Sequence, residues 1–179
     1  MIESIPYVLT GIGIIISILY YTSVLRNANK TRELQLKAQE HATETRQAQL
    51  FMQFYNKAST KEYMAIENNL IGWEFNNPQE FLEKYGPVTN PEAFSDFTTW
   101  LSLWEGMGIL VREGLLNIRL MALSSTGDIM ITWEKYEDVV YELRRMYEWP
   151  RYSIELEYLY QEIKKYAETH PELQILNTL

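Results

Sequence analysis

Residues 5–25 read IPYVLTGIGIIISILYYTSVL, an uncharged run bounded by Glu3 on one side and Arg26 on the other. As a helix rising about 1.5 Å per residue, such a run reaches about 30 Å, the thickness of a bilayer's hydrocarbon core. It predicts a membrane span, and the rest of the chain hangs from it. Ser4 is placed to cap this helix, with Pro6 in its first turn, where a missing N–H costs little. Tyr7 at one end and Tyr20 with Tyr21 near the other fall where aromatic belts form. A cleaved signal peptide needs a basic segment before the apolar run and a small-residue cleavage site after it. Here Glu3 precedes and Arg26-Asn-Ala-Asn-Lys30 follows, so an anchor is the expectation.

The flanks predict its direction. Arg26, Lys30, Arg32 and Lys37 follow the span closely, and nothing basic but the amino terminus precedes it. Positive residues stay inside, which places the N-terminus outside and the remainder in the cytoplasm at the cell membrane. Gly13 and Ser17 have the small-xxx-small spacing that lets two membrane helices approach closely.

Residues 26–57 contain neither proline nor glycine and are polar on nearly all faces as far as Ala48. They predict a juxtamembrane stalk helix continuous with the span, supported by an i,i+4 pair at Glu33 and Lys37. Only Leu36 and Leu50 share a heptad register, so a strong coiled coil is not expected. Asn27 and Asn29 are weak helix formers and mark a candidate hinge. From Leu50 the pattern changes, and Leu50, Phe51, Phe54 and Tyr55 form an apolar face suited to docking on a folded domain.

Residues 58–179 carry the periodicity of an all-α domain, a compact bundle of about five to six helices. Ser59-Thr-Lys-Glu62 has capping-box spacing and opens a helix through Gly72, with Tyr63, Ile66 and Leu70 on one face. Asn77-Pro78 and Asn90-Pro91 each start a helix, ended by Gly86 and Gly114. In the second, Phe94, Phe97, Leu101 and Trp104 make one stripe and Ala93, Trp100, Met107 and Val111 another, too wide for anything but a bundle centre. Gly106 and Gly108 within it imply close approach by another element. A short helix is expected over residues 117–124. Asp128 is then read as the cap of a helix whose inner face repeats at Ile129, Trp133, Tyr136, Val140, Leu143 and Tyr147. Trp149-Pro150 interrupts, and a last helix presents Leu156, Leu159, Ile163 and Tyr166 before His170-Pro171. No stretch alternates with period two, so no sheet is expected.

The net charge is −8, unevenly distributed: residues 1–61 hold seven basic against four acidic side chains, residues 62–179 nine against twenty. Nucleic acids require a basic stripe, so they are excluded as expected partners. The acidic face also discourages contact with an anionic inner leaflet, which attracts Arg26, Lys30 and Arg32 instead. The absence of cysteine removes disulfides, thiol catalysis and cysteine-ligated zinc.

Chemistry is sparse. No phosphate loop, nucleotide fingerprint or nucleophile elbow occurs. His41 and His170 stand apart from any His-xxx-His or Glu-xx-His pair, so neither a metal nor another cofactor is expected. Glu105, set among aromatic residues, is the acid whose neighbours suggest burial, within reach of Glu134 or Arg144 from a facing helix. Trp100, Trp104, Glu105, Trp133 and Arg144 are the candidate lining of a pocket, with Trp149 and Tyr152 nearby; the alternative is that the aromatics are simply core.

The segments Trp104-Glu-Gly-Met-Gly-Ile-Leu-Val-Arg-Glu-Gly-Leu-Leu116 and Asp128-Ile-Met-Ile-Thr-Trp133-Glu-Lys-Tyr-Glu-Asp-Val-Val-Tyr-Glu-Leu-Arg-Arg145 resemble an uncharacterised family of small prokaryotic and archaeal membrane proteins. The resemblance covers residues 94–152 in motif and the whole chain in layout. It implies one N-terminal span, a polar helix and a cytoplasmic helical domain of unknown function, and it carries over no catalytic residues. The combined expectation is a membrane-tethered interaction or scaffold module with a protein partner or a second copy of itself. A ligand sensor or enzyme using the aromatic interior, and an accessory subunit meeting a partner at Gly13 and Ser17, are the alternatives.

Overall fold

The computed structural model describes the backbone of residues 5–173 and the side chains of residues 9–173, so the expected roles of Ser4 and of the Tyr7 side chain lie outside the described residues. The chain is all-α. It comprises α1 (Ile5–Ala58), α2 (Lys61–Gly72), α3 (Pro78–Tyr85), α4 (Pro91–Arg112), α5 (Ile118–Met146), α6 (Ile154–Glu168) and a 3-10 turn at Pro171–Leu173. Two compact units divide it, Met1–Arg46 and Gln47–Leu179.

In the first unit α1 is long and apolar enough to cross a membrane, and none of its apolar stretch is buried by protein. Leu9, Ile15, Leu19, Tyr20 and Leu25 are all exposed. Two of its hydroxyls are satisfied internally: Ser17 Oγ donates to Gly13 O at 2.8 Å and Thr22 Oγ1 to Ile18 O at 2.7 Å. Asn27 and Asn29 do not interrupt it, because each residue fixed in an established helix adds a hydrogen bond that offsets weak propensity. Glu33 and Lys37 form the expected pair at 2.7 Å.

In the second unit, Phe54 from the end of α1 joins a core built from α2 to α6, while Tyr55 remains exposed and stacks on Phe51. The inner faces behave as the periodicity predicts. Phe97, Trp100, Leu101 and Trp104 of α4 are buried, as are Ile129, Trp133, Tyr136, Val140 and Leu143 of α5, whereas Tyr147 is exposed. Phe81 of α3 sits against Phe97 with ring centroids 5.0 Å apart, and Phe97 against Tyr136 at 5.1 Å. These offset and edge-on contacts knit α3, α4 and α5 together.

Three local expectations are corrected. The cap of α2 is Thr60, whose side chain accepts from Tyr63 N at 3.2 Å, because the Ser59 N–H still closes α1 on Tyr55 O. The short helix expected over residues 117–124 is present, capped by Asn117, but the break that separates it from the next helical segment of α5 falls at Ser125, where φ is −144° and ψ 17°. Asp128 therefore lies three residues beyond the break and not at the cap. Hydroxyls cause the kink: Ser124 Oγ reaches Leu120 O and Met121 O, and Thr126 Oγ1 donates to Ala122 O at 2.6 Å, competing with the backbone ladder. Finally, only one of the two central glycines of α4 is a close-approach site. A Cβ on Gly108 would overlap the carbonyl group of Glu155 in α6, whereas one on Gly106 would meet nothing within 4 Å.

These two glycines make a paired test. Gly108→Ala is expected to destabilise the protein by about 1–3 kcal/mol through overpacking. Gly106→Ala should stabilise it by up to about 1 kcal/mol through helix propensity. Urea denaturation of the detergent-solubilised chain, followed by tryptophan fluorescence, measures both; equal shifts would contradict the assignment of the α4–α6 contact to Gly108.

Candidate functional site: an acidic and aromatic cavity

Two i,i+4 pairs on facing helices build the site. Tyr63 and Glu67 lie one turn apart on α2, Trp100 and Trp104 one turn apart on α4. The helices pack so that Trp104 neighbours the Tyr63 hydroxyl and Trp100 neighbours the Glu67 carboxylate. Neither pair is aligned as a hydrogen bond: Tyr63 OH, Glu67 Oε1, Trp100 Nε1 and Trp104 Nε1 are buried atoms without a hydrogen-bond partner. The α5 kink brings Ser124, Ser125 and Asp128 to the same place, and Phe54 closes one side. Between them is a cavity of about 160 Å³, open to solvent on one side.

The electrostatics are one-sided. Burial pushes the Glu67 carboxyl up to about 6, Asp128 adding to the effect and the Trp100 indole N–H opposing it. Burial lifts the Tyr63 hydroxyl far above its ordinary range, helped by the charge of Glu67, and partial desolvation raises the carboxyl of Asp128, although that residue is exposed at the surface. Among the described residues no lysine or arginine lines the cavity. Asp128 is exposed to solvent, whereas Tyr63 OH, Glu67 Oε1 and Trp104 Nε1 are buried.

The candidates read from sequence divide among separate places. Trp104 lines this cavity, whereas Trp100 is buried beside Glu67 and does not line it. Trp133 is packed, its ring 5.9 Å from that of Tyr160 and 6.5 Å from that of Tyr141. Glu105 faces α6, where its Oε2 accepts the Leu156 N–H at 2.7 Å. Ser153, the N-cap residue of α6, makes no side-chain cap and sits in the left-handed region at φ 54°, so Glu105 caps that helix from α4. Desolvation raises the Glu105 carboxyl, while hydrogen bonds from the Leu156 and Glu155 backbone and the charge of Arg144 pull the other way. Arg144 holds the loop before α6, donating to Tyr152 O at 2.8 Å and Glu157 Oε2 at 2.7 Å. Glu134 bonds Tyr160 OH at 3.0 Å instead of approaching Glu105. Glu105, Trp149 and Arg151 border a separate surface groove of about 400 Å³ under that loop.

Glu67 and Asp128 were not singled out from sequence. For Glu67 the signal existed: an acid one turn beyond Tyr63, between Ile66 and Leu70, stands beside the buried stripe. Asp128 was read as a helix cap, and Ser-Ser-Thr-Gly-Asp does start the second segment of α5, with the break at Ser125 instead of at Asp128.

Two measurements probe these assignments. Glu105→Ala should cost about 1–2 kcal/mol by uncapping α6, with Glu105→Gln retaining most of the stability because its amide oxygen can still accept. Glu67 titrates near its ordinary 4.5 when unfolded and near 6 when folded, so folding is penalised for ionising it. That penalty is absent below the unfolded value and complete above the folded one, and Asp128, raised likewise, adds with the same sign. Glu67→Gln is therefore expected to be more stable than the parent by about 1 kcal/mol at pH 8, solvent screening limiting the gain, and equal to it near pH 4. Thermal unfolding at the two pH values decides this.

No curated protein and no solved structure matches the chain. A family does: residues 8–163 match DUF4760, a domain of unknown function, and a match over most of the chain shows that this protein belongs to it.

Proposed function

We propose that the protein is a single-pass membrane-tethered interaction module, with its N-terminus outside and the helical domain of residues 58–179 in the cytoplasm. The observation that carries this reading is the apolar surface of α1, none of which is buried among the described residues. A bilayer covers such a surface without further partners. The unbroken polar helix that follows argues for retention of the segment over cleavage, since Arg26, Asn27 and Lys30 occupy the place of a small-residue site. Arg26, Lys30, Arg32 and Lys37 supply the orientation.

An interaction role fits the acidic surface and the exposed loop between α5 and α6. Trp149 is exposed there, with Glu148 and Ser153, two non-glycine residues in left-handed conformations, on either side. Backbone strain of this kind persists where surrounding structure enforces it, and an exposed tryptophan is an effective anchor for a protein partner. An accessory-subunit role would use the membrane segment instead: Ser17 turns its hydroxyl back to Gly13 O, leaving a shallow face at Gly13 for another helix.

Carbonate extraction of native membranes is expected to leave the full-length chain in the pellet, and a reporter fused after Leu179 should be cytoplasmic. Replacing Arg26, Lys30, Arg32 and Lys37 together with glutamate should invert or scramble that topology. A soluble chain, or an unchanged topology in the quadruple variant, would remove the anchor or its orientation signal respectively. Crosslinking in gently solubilised membranes should give a discrete adduct that Trp149→Ala weakens; a protein that stays monomeric and unattached has no interaction role.

A further inference from the structure

We propose that the groove beside Trp149 is the interface for a second copy of this chain, a two-fold pair in which each Trp149 covers the other's groove and each Arg151 meets the other's Glu113. This names the partner for the interaction role proposed above and rests on it.

The patch sets a projection beside a recess. Trp149 is 55% exposed and borders the groove of about 400 Å³, whose apolar lining is completed by Ile109 and Ile154. A cavity of about 150 Å³ holds benzene, so an indole, about half as large again, fits a recess of this size. In a two-fold contact one surface meets itself, so it must carry both the part that projects and the part that receives. The backbone that displays the ring is fixed. Trp149 N donates to Arg144 O at 3.0 Å, Tyr152 N donates to Trp149 O at 3.1 Å, and the Tyr152 ring stands edge-on to Trp149 at 5.7 Å. Little backbone freedom is left to lose on association.

Charge selects the partner. Residues 62–179 hold nine basic against twenty acidic side chains, so a basic partner is drawn to the acidic faces at large and an acidic one is repelled by them. This patch differs, because it sets Arg112 and Arg151 beside Glu113 and Glu155. Arg112 pairs with Glu155, whereas Arg151, its side chain 76% exposed, reaches that carboxylate only at 3.8 Å. Arg151 thus offers a guanidinium and the exposed Glu113 a carboxylate, and a two-fold contact can pair them twice. Composition agrees with a protein interface. Met146, Tyr147 and Trp149 are all exposed here, and no lysine is among the described residues lining the groove. Tryptophan, tyrosine, methionine and arginine are enriched at such interfaces and lysine is depleted.

The test uses the full-length chain in phosphatidylcholine vesicles, with a donor or acceptor dye on a cysteine appended after Leu179, since the chain has none of its own. Energy transfer between copies, corrected for chance encounter by dilution with lipid, reads the pairing. The parent should pair saturably as protein density rises, and Trp149→Ala should weaken the pairing about tenfold or more. Arg151→Glu alone and Glu113→Arg alone should each weaken it about threefold or more, because each sets like charges together at both contacts. Mixing these two variants restores opposite charges at both contacts and should return the pairing to the parent's level, a rescue that misfolding cannot give. No saturable transfer in the parent, pairing that Trp149→Ala leaves unchanged, or a mixture no better than either variant overturns the proposal. Should Trp149→Ala fail to fold, the charge-reversed mixture decides alone. A crosslinked adduct with a different protein in native membranes, beside parent copies that do not pair in vesicles, overturns the second copy and leaves the interaction role; no adduct and no pairing ends both.

Discussion

The bundle depends on one close approach, that of α4 to α6 at Gly108. Only a residue without a side chain lets the Glu155 carbonyl come against the α4 backbone, since a Cβ there would occupy the same space. With α6 held that near, Glu105, one turn earlier on α4, reaches the free N–H of Leu156 and replaces the cap that Ser153 does not supply. Arg144 then ties the loop carbonyls of Tyr152 and Ser153 to α5. Packing and polar satisfaction are here the same event. The helix that comes closest is also the one whose end is capped by its neighbour, so losing the contact would expose an uncapped helix as well as a cavity.

The same logic recurs at the other end of α2. Its terminal carbonyls would be orphans, yet Lys135 Nζ donates to Leu70 O at 2.9 Å and Ile71 O at 2.6 Å, and Tyr136 OH to Leu70 O at 2.7 Å. Adjacent residues of α5 thus combine a buried aromatic face with a charged grip on a helix C-terminus, where a cation is favoured. Side chains in the core are less completely paired: Tyr63 OH, Glu67 Oε1, Thr132 Oγ1 and the indole nitrogens of Trp100, Trp104 and Trp133 are buried without a hydrogen-bond partner.

The two units also differ in how they treat apolar surface. The second buries its tryptophans and phenylalanines against one another, with Trp100, Trp104, Phe81 and Phe97 almost wholly removed from solvent. Among the described residues of the first, the apolar stretch of α1 is unburied, and Ser17 and Thr22 turn their hydroxyls to carbonyls of the same helix.

Much of the architecture was legible in the sequence because it follows from local rules. The uncharged run over residues 5–25, the Asn-Pro starts of α3 and α4, the positive-φ stop at Gly114 and the inner faces of α4 and α5 are consequences of solvation, of fixed proline geometry and of a 3.6-residue period, all of which act within a few turns. What only the tertiary structure decided are matters of distance between helices. It distinguished Gly108 from Gly106, identical in composition and two residues apart. It turned Glu105 from a buried acid of uncertain purpose into the cap of another helix, and it set the break between the two segments of α5 at Ser125 and not at Asp128. Pairs such as Tyr63 with Trp104 depend on the register of one helix against another, which is set by the whole core and is written in no single segment.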